Sequence, residues 1–261
     1  MQAGTHVLGS RYELVRHIVA DEVSESWTGV DEYQTEYLVK VWPFRGDSPD
    51  PFQRALWDSE LRIMYRVGSS PGADQSVLVI YDAGVDRENQ CFVMVLEAQG
   101  SGYETLAGAL AERKNFAWLR SRDVYRDMDA RHQLWLGFQH LANGLRILHE
   151  QHVLHRSVNP EAVFFNPELG TSSFRLGGFE WSLRLGVAAA NSPPPEKYWS
   201  SPPEFFSDKP AYRPETDWYA FGVLAVRCLL DLESYGSEEP IERHHHIIEH
   251  LDQATQSLSE S

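Results

Sequence analysis

Short β-branched and aromatic runs bounded by polar turns open the chain. Tyr12, Glu13, Leu14 and Val15, then Tyr37, Leu38, Val39, Lys40, Val41 and Trp42, predict two strands. The period then changes. Phe52, Leu56, Ile63 and Val67 recur at helical spacing and Pro51 suits a first helical position, so residues 50–67 are expected to form a helix with that stripe inward. Residues 76–81 and 91–96 read as two more strands, joined by the polar stretch 84–89. From about residue 103 the texture is helical. Leu134, Phe138, Leu141, Leu145 and Leu148 form a long apolar stripe that runs into the segment around His155. Short strands are expected near 162–165 and 174–177. The run Pro193, Pro194, Pro195 marks an irregular loop, and residues 217–232 predict a strongly apolar, buried helix. The tail from Gly236 is charged, with Ser257 to Ser261 expected to fray. No internal repeat is visible.

This order gives an α+β fold. A small antiparallel sheet with one helix occupies residues 1–98, and a mainly helical part occupies 99–261, together one domain. The 261 residues, 42% hydrophobic, suffice for a sizeable core. There are 38 acidic residues against 23 basic, a net charge of −15, and such a field repels phosphate. Nucleic acid and anionic membrane are therefore not expected as partners. Cys91 and Cys228 lie too far apart in sequence for a disulfide framework or zinc ribbon, which points to a reducing, cytoplasmic setting. Residues 1–11 are polar, so no signal peptide is expected. No run of about 18 apolar residues predicts a membrane span.

The motifs sharpen this picture. Leu154, His155, Arg156, Ser157, Val158, Asn159, Pro160, Glu161, Ala162 and Val163 follow each other in one loop. The run resembles the catalytic loop of protein kinases, His-Arg-Asp-Leu-Lys-Pro-Glu-Asn, with His155, Arg156, Pro160 and Glu161 in register. Ser157 replaces the base aspartate, and Ala162 the metal-binding asparagine. Gly178, Phe179 and Glu180 resemble the Asp-Phe-Gly motif, with Gly178 in place of the metal carboxylate. Glu180 could supply a carboxylate from the neighbouring position; an exposed or salt-bridged loop glutamate is the favoured reading. The glycine-rich loop is absent: Val19, Asp21 and Ser24 take its glycine places, an acidic hairpin that would repel polyphosphate.

By the same resemblance Lys40 takes the place of the strand lysine and Glu60, twenty residues on, that of its helix glutamate. A structural interlobe pair is favoured over phosphate binding. Leu38, Ser26 and Phe164 map to the adenine pocket, which Leu38 and Phe164 are expected to fill. His155, Phe179, Met64 and Ile80 fall on the family's hydrophobic regulatory spine. Ser201, Pro202, Pro203 and Glu204 resemble the Ala-Pro-Glu element, and Asp217 to Gly222 resembles the start of the buried helix whose aspartate ties down the catalytic loop. Tyr198, Ser200 and Ser201 are candidate phosphorylation positions, with a solvated loop favoured. His244, His245, His246, Glu249 and His250 are read as a polar helix face rather than a metal site.

The resemblance covers roughly residues 11–232 and is closest in texture to bacterial serine/threonine kinases, through Arg11 to Val15. Few residues follow Leu232, so either the last helices are reduced or this is the leading part of a longer chain. Residues that hold such a fold remain while those that transfer phosphate are gone. The resemblance thus implies a pseudokinase: a two-lobed kinase-like domain with no cofactor, acting through another protein or another domain. The alternatives are a nucleotide-binding switch and an atypical transferase holding ATP through Lys40 and Glu60.

Overall fold

Strands dominate the first hundred residues of the computed structural model, which describes residues 1–21, 23–44, 49–97, 102–120, 128–185, 202, 212–230, 242, 245, 246, 248 and 249. Six strands form one antiparallel sheet: β1 His6–Val7, β2 Tyr12–Ala20, β3 Glu25–Val30, β4 Glu36–Pro43, β5 Ile80–Asp86 and β6 Cys91–Glu97. Their spatial order is β1-β2-β3-β4-β6-β5. Strand β4 is an unbroken buried run because both its faces are covered. Val39 and Val41 pack with Val93, Val95 and Trp27 on one side. Leu38 and Trp42 join the main core with Met94 on the other. By this alternation Lys40 shares the face of Leu38 and Trp42, and it pairs in register with Ser26 of β3 and Met94 of β6.

Helix α1, Pro51–Gly68, packs against that face. Asp50 caps it by accepting from the Phe52 amide at 2.8 Å, and Pro51 occupies the first turn, where its missing N–H costs nothing. The inward stripe differs from expectation at one end. Phe52 is exposed, and the buried positions are Gln53, Leu56, Glu60, Ile63, Met64 and Val67. A carboxylate therefore sits in the middle of an apolar helix face.

The strand expected over 76–81 is displaced. Residues 76–78 instead bridge in parallel to Leu176, with Leu78 N–H donating to Leu176 O at 3.0 Å and Leu176 N–H to Ser76 O at 2.9 Å. Strand β5 begins at Ile80 and continues to Asp86, through what reads in sequence as a turn. The cause is Asp86, a buried polar residue whose carboxylate accepts from the Leu8 and Asn89 amides at 2.7 and 2.9 Å. Those bonds satisfy the aspartate inside the sheet and push the turn on to Arg87–Gln90.

The remainder is mainly helical: α2 Leu106–Ala111, α3 Ala117–Arg120, α4 Met128–Glu150 and α5 Pro214–Leu230. All five members of the predicted apolar stripe are buried on α4. Helix α5 starts three residues before the expected Asp217, with Pro214 first. Small pairings hold the segment between α4 and α5: β7 Glu104–Thr105, β9 Val163–Phe165 and β10 Arg175–Leu176 form one ladder, while β8 Val153–Leu154 pairs with β11 Leu183–Arg184. No described helix is long and apolar enough to cross a membrane. Cys91 and Cys228 are free and buried.

Candidate functional site

Lys40 projects from β4 toward α1 and is almost wholly buried. A lone ammonium there would be costly to desolvate, and two carboxylates compensate it. Its Nζ lies 3.0 Å from Glu60 Oε2 and 2.8 Å from Glu180 Oε2. The other Glu60 oxygen accepts from the Phe179 amide at 3.3 Å, tying α1 to the loop after β10. The exposed-loop alternative for Glu180 is thus corrected: its carboxylate is buried and ion-paired. The reason is local. Gly178 adopts φ +70°, a left-handed turn that glycine adopts freely.

The three groups titrate against each other. Burial is the largest influence on Lys40 and would lower its pKa, but the carboxylates of Glu180 and then Glu60 outweigh it and hold it raised. Burial pushes Glu60 up to about 7, with Lys40 opposing and Glu180 adding to the rise. Burial also acts to raise Glu180, yet Lys40 wins and lowers it. Glu180 is therefore the firmly ionised partner.

A cavity of about 160 Å³ opens beside this triad. Lys40, Glu60, Ser157, Ala162 and Gly178, drawn from across the chain, all line it together with Glu180. Leu38, Ser26 and Phe164 line it too, so the space expected to be filled by Leu38 and Phe164 is narrowed rather than closed. Ordinary ligand pockets run to roughly 300–1,000 Å³. Gly178 and Ala162 lie close together: a Cβ at 178 would lie 3.2 Å from the Ala162 Cβ. The hydroxyl of Ser157 accepts from Asn159 Nδ2 at 3.1 Å.

The hairpin over the cavity consumes its own amides. Asp21 accepts from the N–H groups of Val23 and Ser24, both at 2.7 Å, and from the Ser24 hydroxyl at 2.8 Å. This Asx turn presents a carboxylate where a phosphate-binding loop presents N–H donors. Among the described residues, four carboxylates, those of Asp21, Glu60, Glu161 and Glu180, line the cavity against the single ammonium of Lys40.

Below it the 155–162 loop is anchored from α5. Asp217 accepts from the backbone N–H groups of His155 and Arg156, each at 2.8 Å, and lies 2.8 Å from His149 Nε2. Two such bonds let Arg156 hold φ +67°, and its guanidinium stacks 4.2 Å above the Tyr212 ring. The Ser157 N–H donates to His155 Nδ1 at 3.2 Å, so Nε2 carries the proton and donates to Gly177 O at 2.8 Å. Burial lowers the His155 pKa and keeps it neutral. Its ring lies 5.1 Å from that of Phe179; Met64 is buried in the same core as Phe179, and Ile80 packs against it half-buried.

Two contributors escape the sequence reading. Asn159 caps the 3₁₀ turn Pro160–Ala162 by accepting from the Ala162 amide at 3.0 Å, and an Asn-Pro pair is a legible signal for that. Glu180 as second partner of Lys40 has no such signal, since 140 residues separate them. Glu204, Tyr198, Ser200, Ser201, His244 and His250 lie outside the described residues. Among those described, no group of His, Cys, Asp and Glu is placed to hold a metal ion. No protein-family model matches the chain, and no curated protein matches it in sequence.

Proposed function

We propose that the chain is a catalytically inactive, protein-kinase-like domain that acts as a protein-interaction or allosteric regulatory module. The supporting observation is the double ion pair of Lys40. In a protein kinase the corresponding lysine keeps one such glutamate and still directs its charge at phosphate, so the second carboxylate, Glu180, is the telling departure. Here Glu60 and Glu180 lie at 3.0 and 2.8 Å from the ammonium, so an incoming polyphosphate meets a neutralised cation beside further carboxylates. Ser157 cannot take a proton from a hydroxyl as a carboxylate does, and Ala162 and Gly178 offer no oxygen to Mg²⁺. The remaining contacts of His155, Phe179 and Asp217 hold a scaffold. Met128, Trp135 and Leu136 expose apolar area on α4, the type of surface that a protein partner covers.

The test is phosphate transfer from radiolabelled ATP with Mg²⁺ or Mn²⁺. No transfer is expected from the native chain, nor from Ser157→Asp, which still lacks metal ligands at 162 and 178. Label incorporated by the native chain and lost in Lys40→Ala would establish the enzyme reading instead.

A further inference from the structure

We infer that the groove where β2, the turn between β3 and β4, and β5 meet docks a proline-rich peptide segment carrying arginine, supplied by another protein. The inference rests on the interaction-module reading and names the chemistry of a partner. The groove is open, about 680 Å³, and tyrosines set its character. Tyr12 and Tyr37 are buried and form its base, with ring centroids 5.5 Å apart. The ring of Tyr81 lies 4.9 Å from that of Tyr37, yet Tyr81 is 56% exposed. Tyr33 is 79% exposed on the adjacent turn. Asp31 fixes that turn by accepting from the amides of Tyr33 and Thr35 at 2.9 and 2.8 Å, and from the Tyr37 hydroxyl at 3.3 Å. Two rings are thus held toward solvent on a firm base. A polyproline II segment, itself preformed, meets such an aromatic surface at low entropic cost.

Charge selects the arginine. At one end of the groove the chain fills the seat itself. Arg11 pairs with Asp82 at 2.5 Å, and its guanidinium lies 5.8 Å from the Tyr12 centroid. At the other end the same combination recurs, with the carboxylates of Asp31 and Glu32 beside Tyr33. Among the described residues no cation pairs with either carboxylate. An incoming guanidinium gains both a carboxylate and a ring face there. Addition of the peptide as a further strand is opposed by β5 itself. It is the edge of the sheet, but Tyr81 is an extra residue in its register with β6, and the Ala83 amide donates to Asp82 Oδ1 at 2.8 Å. A bulge with a consumed donor obstructs backbone pairing, so recognition falls to the side chains.

The experiment is calorimetric titration of the full chain with a synthetic peptide of Arg-Pro-Pro repeats, with Glu-Pro-Pro and Arg-Gly-Gly repeats as controls. The Arg-Pro-Pro peptide is expected to bind saturably and at least about tenfold more tightly than Arg-Gly-Gly, with Glu-Pro-Pro silent. Tyr33→Ala, at an exposed position that spares the fold, should weaken binding by about fivefold or more. Glu32→Gln should weaken it severalfold, and more at low than at high salt. No binding of Arg-Pro-Pro, equal binding of either control, or affinity unchanged in either variant would overturn the inference. A dimer in sedimentation that dissociates in Tyr33→Ala would overturn it in favour of a second copy on this face. The phosphate-transfer assay separates the two readings. Transfer alongside intact peptide binding overturns the inactive reading alone, whereas peptide silence without transfer overturns the groove alone.

Discussion

Three side chains decide the chemistry of the site, and their protonation makes them testable. Glu60 has a folded-state pKa of about 7, raised by burial above its ordinary value of 4.5. The folded chain then binds this proton more tightly than the unfolded chain. Its stabilising contribution is full below about pH 4.5 and is lost as pH rises through about 7. Wild type is therefore expected to lose stability relative to Glu60→Gln between about pH 5 and pH 8, by on the order of a few kcal/mol. His155, kept neutral by burial, has the opposite trend below about pH 6.5, but it is present in both proteins and cancels in the difference. Urea unfolding of both proteins across that range measures the difference. A flat or rising difference would show that Glu60 is ionised in the fold and that Lys40 holds both carboxylates equally. Of these groups, Lys40 and Glu60 were legible from a strand lysine and a mid-helix glutamate at suitable spacing. Glu180 was not: only the turn at Gly178 brings it back to β4.

Elements with a full period were legible, and most two-residue ones were not, β10 within the expected 174–177 being the exception. Helices α1 and α4 and strand β4 lie within a few residues of expectation because each repeats its apolar pattern over several turns or pleats. Strands β1, β7, β8 and β11 have two residues each, too few to display any alternation. Strand β5 was misplaced because a buried aspartate mimics a turn residue. The loop at 155–162 belongs to this scale too, since it is shaped from a helix far along the chain. Asp217→Ala would leave the His155 and Arg156 amides buried without an acceptor. At about 1–3 kcal/mol for each orphaned donor, an expected loss of roughly 3–5 kcal/mol follows. The urea midpoint should fall with its slope unchanged. A change below about 1 kcal/mol would mean that Pro214–Leu230 does not anchor the loop.

At the scale of the whole molecule the site is where separate parts of the chain meet. The triad joins β4, α1 and the loop after β10, and the bridge of Val77 to Leu176 joins the same regions a second time. A molecule seated in the cavity would touch all of them, which gives a ligand or partner a physical route to bias their arrangement. The net charge of −15 adds a long-range field that disfavours polyphosphate before it reaches the hairpin. The central claim is that Lys40 is neutralised from within, leaving no site for nucleotide. Thermal unfolding with increasing ATP–Mg²⁺ tests it most directly, because a ligand at 100 times its Kd stabilises by about 2.7 kcal/mol. No shift is expected up to millimolar ATP–Mg²⁺; a saturable rise in Tm at sub-millimolar concentration would contradict the claim.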